Sequence, residues 1–155
     1  MSLESVKNYF EEKELGIDII EFESSTATVE LAAKAIGVEP GQIAKTMAFM
    51  LKESVILIVS KGIAKIDNRK YKDCFGGKAK MLNTEEVIEH TGHPVGGVCP
   101  FGLKKELEIY LDDSLKEYDY VYPAAGSPNS AVKITIDELE SVTAGKWVDV
   151  CKADI

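Results

Sequence analysis

The sequence predicts an α+β protein: a curled β-sheet, mixed or largely antiparallel, with short helices on its outside. Three observations lead there. Strand-like segments arrive in neighbouring groups rather than in strict β–α alternation. The helix-like segments are short, and most open on a capping residue or stop at glycine. The chain has 155 residues, 45% of them apolar and 28% charged, enough for one domain (residues 1–155) with a real core.

Taken in order, "LESVKNYFEEKEL" places Leu3, Val6, Phe10 and Leu15 at roughly helical spacing, with Gly16 as a stop. "IDIIEF" is a short strand. Thr28 is a helix N-cap before "VELAAKAIG", which Gly37 ends. "IAKTMAFML" and "SVILIVS" are two strands joined across "KES" as a hairpin. Asp67 caps a helix that runs to Gly76-Gly77. "AKML" is a short strand, and Asn83 caps the helix "TEEVIEHTG". "EIYLDDSL" and "YVYPAAG" are strands, and "SAVKITI" is the cleanest alternating strand. Asp137 starts the helix "ELESVTAG", and "KWVDVC" is a final strand. There is no internal repeat, low-complexity tract or linker.

Composition excludes several classes. The longest apolar run, Val55 to Val59, is too short to span a membrane. The N-terminus is acidic and amphipathic, unlike a signal or transit peptide, so a cytoplasmic protein is expected. Cys74, Cys99 and Cys151 form no CxxC pair, and His90 and His93 have no evident co-ligands. No metal site is therefore expected, and the two histidines are assigned surface or loop roles. The formal net charge of −8 argues against general nucleic-acid binding. That charge is uneven: Lys61 to Lys80 holds seven basic and two acidic residues, a local +5, leaving −13 elsewhere. A solvated face and a local phosphate-contacting patch both fit. Arg69 is the single arginine, so phosphate contacts would fall to lysine or backbone N–H groups.

Three segments could carry chemistry, and none is a nucleophile–base motif. In "IAKTMAF", alternation puts Lys45 on one face with Ile43, Met47 and Phe49. Such a lysine either snorkels from a sheet edge or holds an anion at a cavity mouth, where low dielectric strengthens its grip. "GHPVGGVCPFGL" has four glycines and two prolines in twelve residues, which no helix or interior strand tolerates. It is a shaped loop, and the backbone around Gly96 and Gly97 can approach a ligand closely and form an anion nest or oxyanion hole. Cys99 is read as a small, partly buried thiol rather than a nucleophile. In "AAGSPNSAV", Gly126-Ser127-Pro128-Asn129 forms a turn that could bring Ser127 and Asn129 to a pocket rim.

These segments, with "TVELAAKAIGVEPGQIAKTMAF" ahead of them, resemble the YbaK/prolyl-tRNA-synthetase-associated editing domain family from about Ile19 to Val150. The resemblance implies a barrel-like curled mixed sheet and hydrolysis of mischarged aminoacyl-tRNA, with no metal or organic cofactor. It assigns Lys45 to the 3′-terminal adenosine and its phosphate. Gly96 to Pro100, including Val98 and Cys99, match the loop beside the aminoacyl ester carbonyl. Thr28 borders the aminoacyl pocket, and Gly126 matches a glycine of the second substrate-facing loop. Two departures stand out. The family often has serine or threonine where this chain has Cys99, and "GSPNSA" replaces an arginine-containing loop usual in Cys-tRNA(Pro) deacylases. The expected substrate is therefore a tRNA acceptor end carrying some small amino acid, with an aminoacyl-tRNA synthetase as a possible partner and no membrane. Gly96 and Gly97 would polarise the carbonyl for attack by water or a substrate-borne group, with Lys45 holding the nucleotide. The alternatives are a catalytically silent module that binds tRNA ends or a synthetase, and an unrelated thiol hydrolase using Cys99.

Overall fold

A computed structural model of the chain describes residues 2–152. Five short helices surround a curled six-stranded mixed sheet, a half-barrel. Its centre is the hairpin of β2 (Ile43–Leu51) and β3 (Ser54–Lys61), antiparallel from Ala44 opposite Lys61 to Leu51 opposite Ser54. β5 (Tyr120–Pro123) runs parallel to β2, and β7 (Ile134–Thr135) closes that side antiparallel to β5. On the other side β4 (Glu108–Asp112) is parallel to β3, and β8 (Lys146–Val148) is parallel to β4. With three parallel pairs to two antiparallel ones, the sheet is mixed. β1 (Ile19–Glu21) and β6 (Ser130–Val132) form a separate antiparallel pair.

β3 runs through the centre of the core. Its apolar run is buried on both faces because side chains pack on each side of it. Val59 joins a core with Val6, Phe10 and Phe101, Ile56 and Ile58 meet Tyr71, and Leu57 meets Leu82 and Val87. α1 (Ser2–Glu12) presents Val6 and Phe10 inward, and the Phe10 ring lies 5.0 Å from that of Phe101. α2 (Val29–Ile36), α3 (Asn68–Phe75) and α4 (Thr84–Thr91) carry the expected caps, Thr28, Asp67 and Asn83, and each ends at a left-handed glycine.

Four elements differ from the sequence reading. "SAVKITI" is not one strand. Ser130–Val132 pairs with β1, and after Lys133 the chain changes partner to β5. Val132 and Ile134 still enter the same core, so the alternation is real while the pairing switches. "AKML" is no strand. It makes a single bridge, Met81 to Phe49, with Met50 N–H donating to Lys80 O and Leu82 N–H to Ala48 O. "EIYLDDSL" stops at Asp112, whose carboxylate accepts from Ser114 N–H and Val150 N–H and starts a 3-10 turn, Asp113–Glu117. α5 (Ile136–Thr143) begins a residue before Asp137, because Thr135 and Glu138 form a capping box.

Candidate functional site

β2 carries the first part of the site. On its side facing β5 and the 80–82 segment, partners exist at Ile43–Ala44 and again at Ala48–Met50, with none among the described residues between. The interrupted edge at Lys45, Thr46 and Met47 lines a cavity of about 460 Å³. More of the wall comes from residues 26–29 and Ala32, residues 81–84, Val87, Val95, Gly96 and Val98, and from Tyr122 and Ser130 on β5 and β6.

Lys45 shares its face with Met47 and Phe49, as alternation requires, and its ammonium donates to Ala64 O. One hydrogen bond leaves two of its three protons for a ligand. Burial pulls its pKa below the ordinary lysine value; the Cys151 thiol and Glu30 oppose this, and Lys65 adds to it. Lys65 therefore bears on Lys45 through its charge, although it lies outside the cavity wall. Two of the basic segment's cations are already engaged: Lys61 is buried with Glu117 at 2.7 Å, and Lys70 donates to Asp149 and Cys151 O. Lys65, Arg69, Lys72, Lys78 and Lys80 are exposed.

The glycine-rich loop divides the roles expected of its residues. Gly96 has φ +96°, and its α-carbon leaves 3.0 Å between an added Cβ and Ala27 Cβ, so it needs to be glycine on both counts. Gly97 lies outside the left-handed region. A Cβ there would stand 2.7 Å from Ser127 N and 2.8 Å from Gly126 C, so its smallness serves the second loop. Its N–H donates to Pro94 O, and its carbonyl accepts from Gly126 N–H at 3.0 Å. The N–H groups of Gly96 and Val98 have no protein acceptor among the described residues. These two residues line the cavity; Gly97 does not.

Thr28 also lines the cavity, with its hydroxyl accepting from Leu31 N–H as the α2 cap. Cys99, Pro100, Gly126, Ser127 and Asn129 lie outside the cavity wall. Cys99 is fully buried, and burial pushes its thiol pKa up to about 12. Ser127 bonds to Asn129 and Ser130, while Asn129 donates to Phe22 O and Thr26 N–H donates to Pro128 O. That turn therefore anchors residues 22–26. Two hydroxyls that sequence reasoning missed belong to the wall. Thr26 Oγ1 and Thr46 Oγ1 are buried without a partner among the described residues. Strand alternation could place Thr46 opposite Lys45's face, but an unpaired hydroxyl has no sequence signal. His93 lies in a loop, one of the two roles expected of it, but it is fully buried rather than at the surface.

The aminoacyl-tRNA editing domain model matches residues 23–142. The chain belongs to the aminoacyl-tRNA editing domain family. YwhH of Bacillus subtilis, whose function is uncharacterised, is 52% identical over 154 residues and 98% of each chain. EbsC of Enterococcus faecalis, named as a candidate Cys-tRNA(Pro)/Cys-tRNA(Cys) deacylase, is 26% identical over 79% of this chain and 76% of its own. A crystal structure described as a candidate trans-editing enzyme for prolyl tRNA synthetase superposes with a TM-score of 0.90, at 33% identity over 98% of both chains. No helix among the described residues is long and apolar enough to cross a membrane.

Proposed function

We propose that this editing domain hydrolyses, in trans, the ester of a tRNA mischarged with a small amino acid. One observation carries the reading. Lys45, Gly96 and Val98 line one cavity, the last two with N–H groups that have no protein acceptor, and among the described residues its wall holds no carboxylate, imidazole or thiol. An anion-binding cation and two carbonyl-polarising donors suit an ester joined to a nucleotide. The named deacylase and trans-editing relatives support the same reaction.

In this mechanism the 3′-terminal nucleotide lies against Lys45, with Lys65 extending the positive track toward the preceding phosphate. Gly96 and Val98 N–H groups stabilise the charge that develops on the carbonyl oxygen. Gly97 positions both by pinning the loop to Pro94 and Gly126. Among the described residues the wall offers no carboxylate or imidazole as general base, so water attacks with help from a substrate-borne group, or by positioning alone. Val29, Ala32, Val87 and Val98 favour a small apolar aminoacyl group, and the Thr26 and Thr46 hydroxyls supply hydrogen-bonding partners within it. Cys99 takes no chemical part, being buried away from the cavity as a neutral thiol. A synthetase is the natural partner for a trans-acting editor, and the cytoplasm its natural compartment.

The test is a deacylation screen against a panel of mischarged tRNAs in EDTA. Release of a small amino acid from at least one of them is expected. Tight binding of tRNA with no release from any would establish the silent binding module instead.

A further inference from the structure

We infer that His93, with its proton on Nε2, is a positioning residue that sets the placement of Gly96 and Val98; this rests on the deacylase reading above. The argument begins with the loop's closure. At its base Lys104 N–H donates to Thr91 O at 3.0 Å. The Thr91 hydroxyl donates to Val87 O in α4 at 2.7 Å and accepts from His93 N–H at 3.0 Å. The His93 backbone is thereby fastened to the end of a capped helix.

The ring then crosses the loop. Nε2 lies 2.7 Å from Phe101 O, and a carbonyl can only accept, so Nε2 carries the proton. This bond ties residue 93 to residue 101 across the segment that presents Gly96 and Val98. Cys99 Sγ lies 3.6 Å from both Nε2 and Phe101 O and fills the remaining space. His93, Cys99 and Phe101 are all fully buried, so the loop is a closed Ω-like unit packed by its own side chains. Nδ1 is buried with no partner among the described residues. A second proton there would have no acceptor, which fixes the tautomer and keeps the ring neutral. Phe101 continues into the core against Phe10. The loop is therefore held at α4, at the α1-packed core and, through Gly97, at the second loop. His93 links two of these anchors, its backbone N–H bonding to Thr91 at the end of α4 and its ring to Phe101 O.

The tether matters because the two N–H groups can work only at a defined distance from the ester carbonyl. A shift of about 1 Å in such donors costs on the order of 100-fold in rate. Substrate affinity comes from elsewhere, chiefly Lys45 and the cavity walls. A loosened tether should therefore appear in kcat and spare KM.

The experiment compares wild type, His93→Leu and His93→Gln by steady-state deacylation and by amide hydrogen exchange. Leu fills space without donating; the Gln side-chain amide can reach Phe101 O. In His93→Leu, kcat should fall about 30-fold with KM within about 2-fold. Exchange at Gly96, Gly97 and Val98 should rise about 10-fold or more. His93→Gln should bring both readouts back to within about 3-fold of wild type. If His93→Leu does not fold, His93→Asn, whose amide stops short of Phe101 O, takes its place with the same expected loss. Unchanged kcat and unchanged loop exchange in the tether-less variant would overturn the inference, as would a His93→Gln protein as impaired as His93→Leu. A wild-type chain that cleaves no ester sinks the deacylase reading instead, and the exchange data still decide whether His93 holds the loop.

Discussion

Lys45 and Lys61 sit one register step apart on paired strands, Ala44 lying opposite Lys61 and Lys45 opposite Ser60. Both are lysines drawn into apolar surroundings, yet they are built for opposite ends. Lys61 is buried and meets the Glu117 carboxylate at 2.7 Å. Its charge is consumed inside the protein. Lys45 is half-buried, meets only a carbonyl among the described residues, and lines the cavity. Its charge is held in a weakly polar setting without a counter-anion in contact. The difference separates a polar group with its charge partner in place from one without, and in the proposed mechanism the second receives the ligand.

Substitution should split the pair most widely. Lys45→Ala should lower deacylation by ~100-fold or more, on the order of 3 kcal/mol for a charge-assisted contact to an anion in a preorganised site. Its circular dichroism spectrum should stay native. Lys61→Ala should leave the rate of the folded protein within about 3-fold and instead lower the thermal transition by about 4 °C or more, because it removes a buried partner of Glu117. Full activity in folded Lys45→Ala would erase the distinction.

The loop offers the same contrast at single-residue spacing. Gly97 has both backbone groups engaged, whereas Gly96 and Val98 keep theirs open. Gly97→Ala should reduce the rate by about 100-fold, since its Cβ would meet Ser127 N at 2.7 Å and force the two loops apart. Cys99→Ser should stay within about 10-fold, a barrier change near 1.4 kcal/mol, because a hydroxyl can also donate to Phe101 O. A dead Cys99→Ser beside a live Gly97→Ala would restore the thiol as the reacting group and discard the backbone model.

How much of this was legible follows from the same division. Local rules placed the caps at Thr28, Asp67 and Asn83, the β2–β3 hairpin and the face of Lys45, because each depends on neighbours a few residues away. The glycine loop was recognisable as a shaped loop for the same reason. Its internal division of labour was not. Gly97 is small because of residues 126 and 127, and Lys61 left the basic patch because of Glu117, both contacts between distant parts of the chain. "SAVKITI" misled because alternation reports which side faces the core and is silent about which strand is the partner. His93 was hidden because a histidine followed by proline and glycines looks like loop surface, while its burial depends on Thr91, Phe101 and the packing of α1.

Open hydroxyls should matter less than open charges. Thr46→Val keeps the β-branched shape and removes a hydroxyl that has no protein partner. It should be neutral or slightly stabilising in thermal melts, yet cost about 10-fold in kcat/KM, near 1.4 kcal/mol. A Thr46→Val protein with wild-type kinetics would mark that hydroxyl as an unused defect of the wall.

The smallest effect concerns His93, whose polar atoms are half complete, and it is read in stability. Burial lowers its pKa below the ordinary 6.5, while the bond to Phe101 O opposes the shift. The sign follows from proton uptake. Below pH 6.5 the unfolded chain takes up a proton that the folded chain refuses, because Nδ1 has no acceptor. Stability is therefore full above 6.5 and declines as the pH falls toward the lower folded pKa. The limiting slope is about 1.4 kcal/mol per pH unit for one site. His93→Gln cannot titrate, and His90 is common to both proteins. Urea unfolding at pH 7.5 and 5.5 should show wild type losing more stability than His93→Gln over that interval. Parallel losses in the two proteins would mean that the buried ring accepts its second proton at no cost, and that its Nδ1 finds a partner when charged.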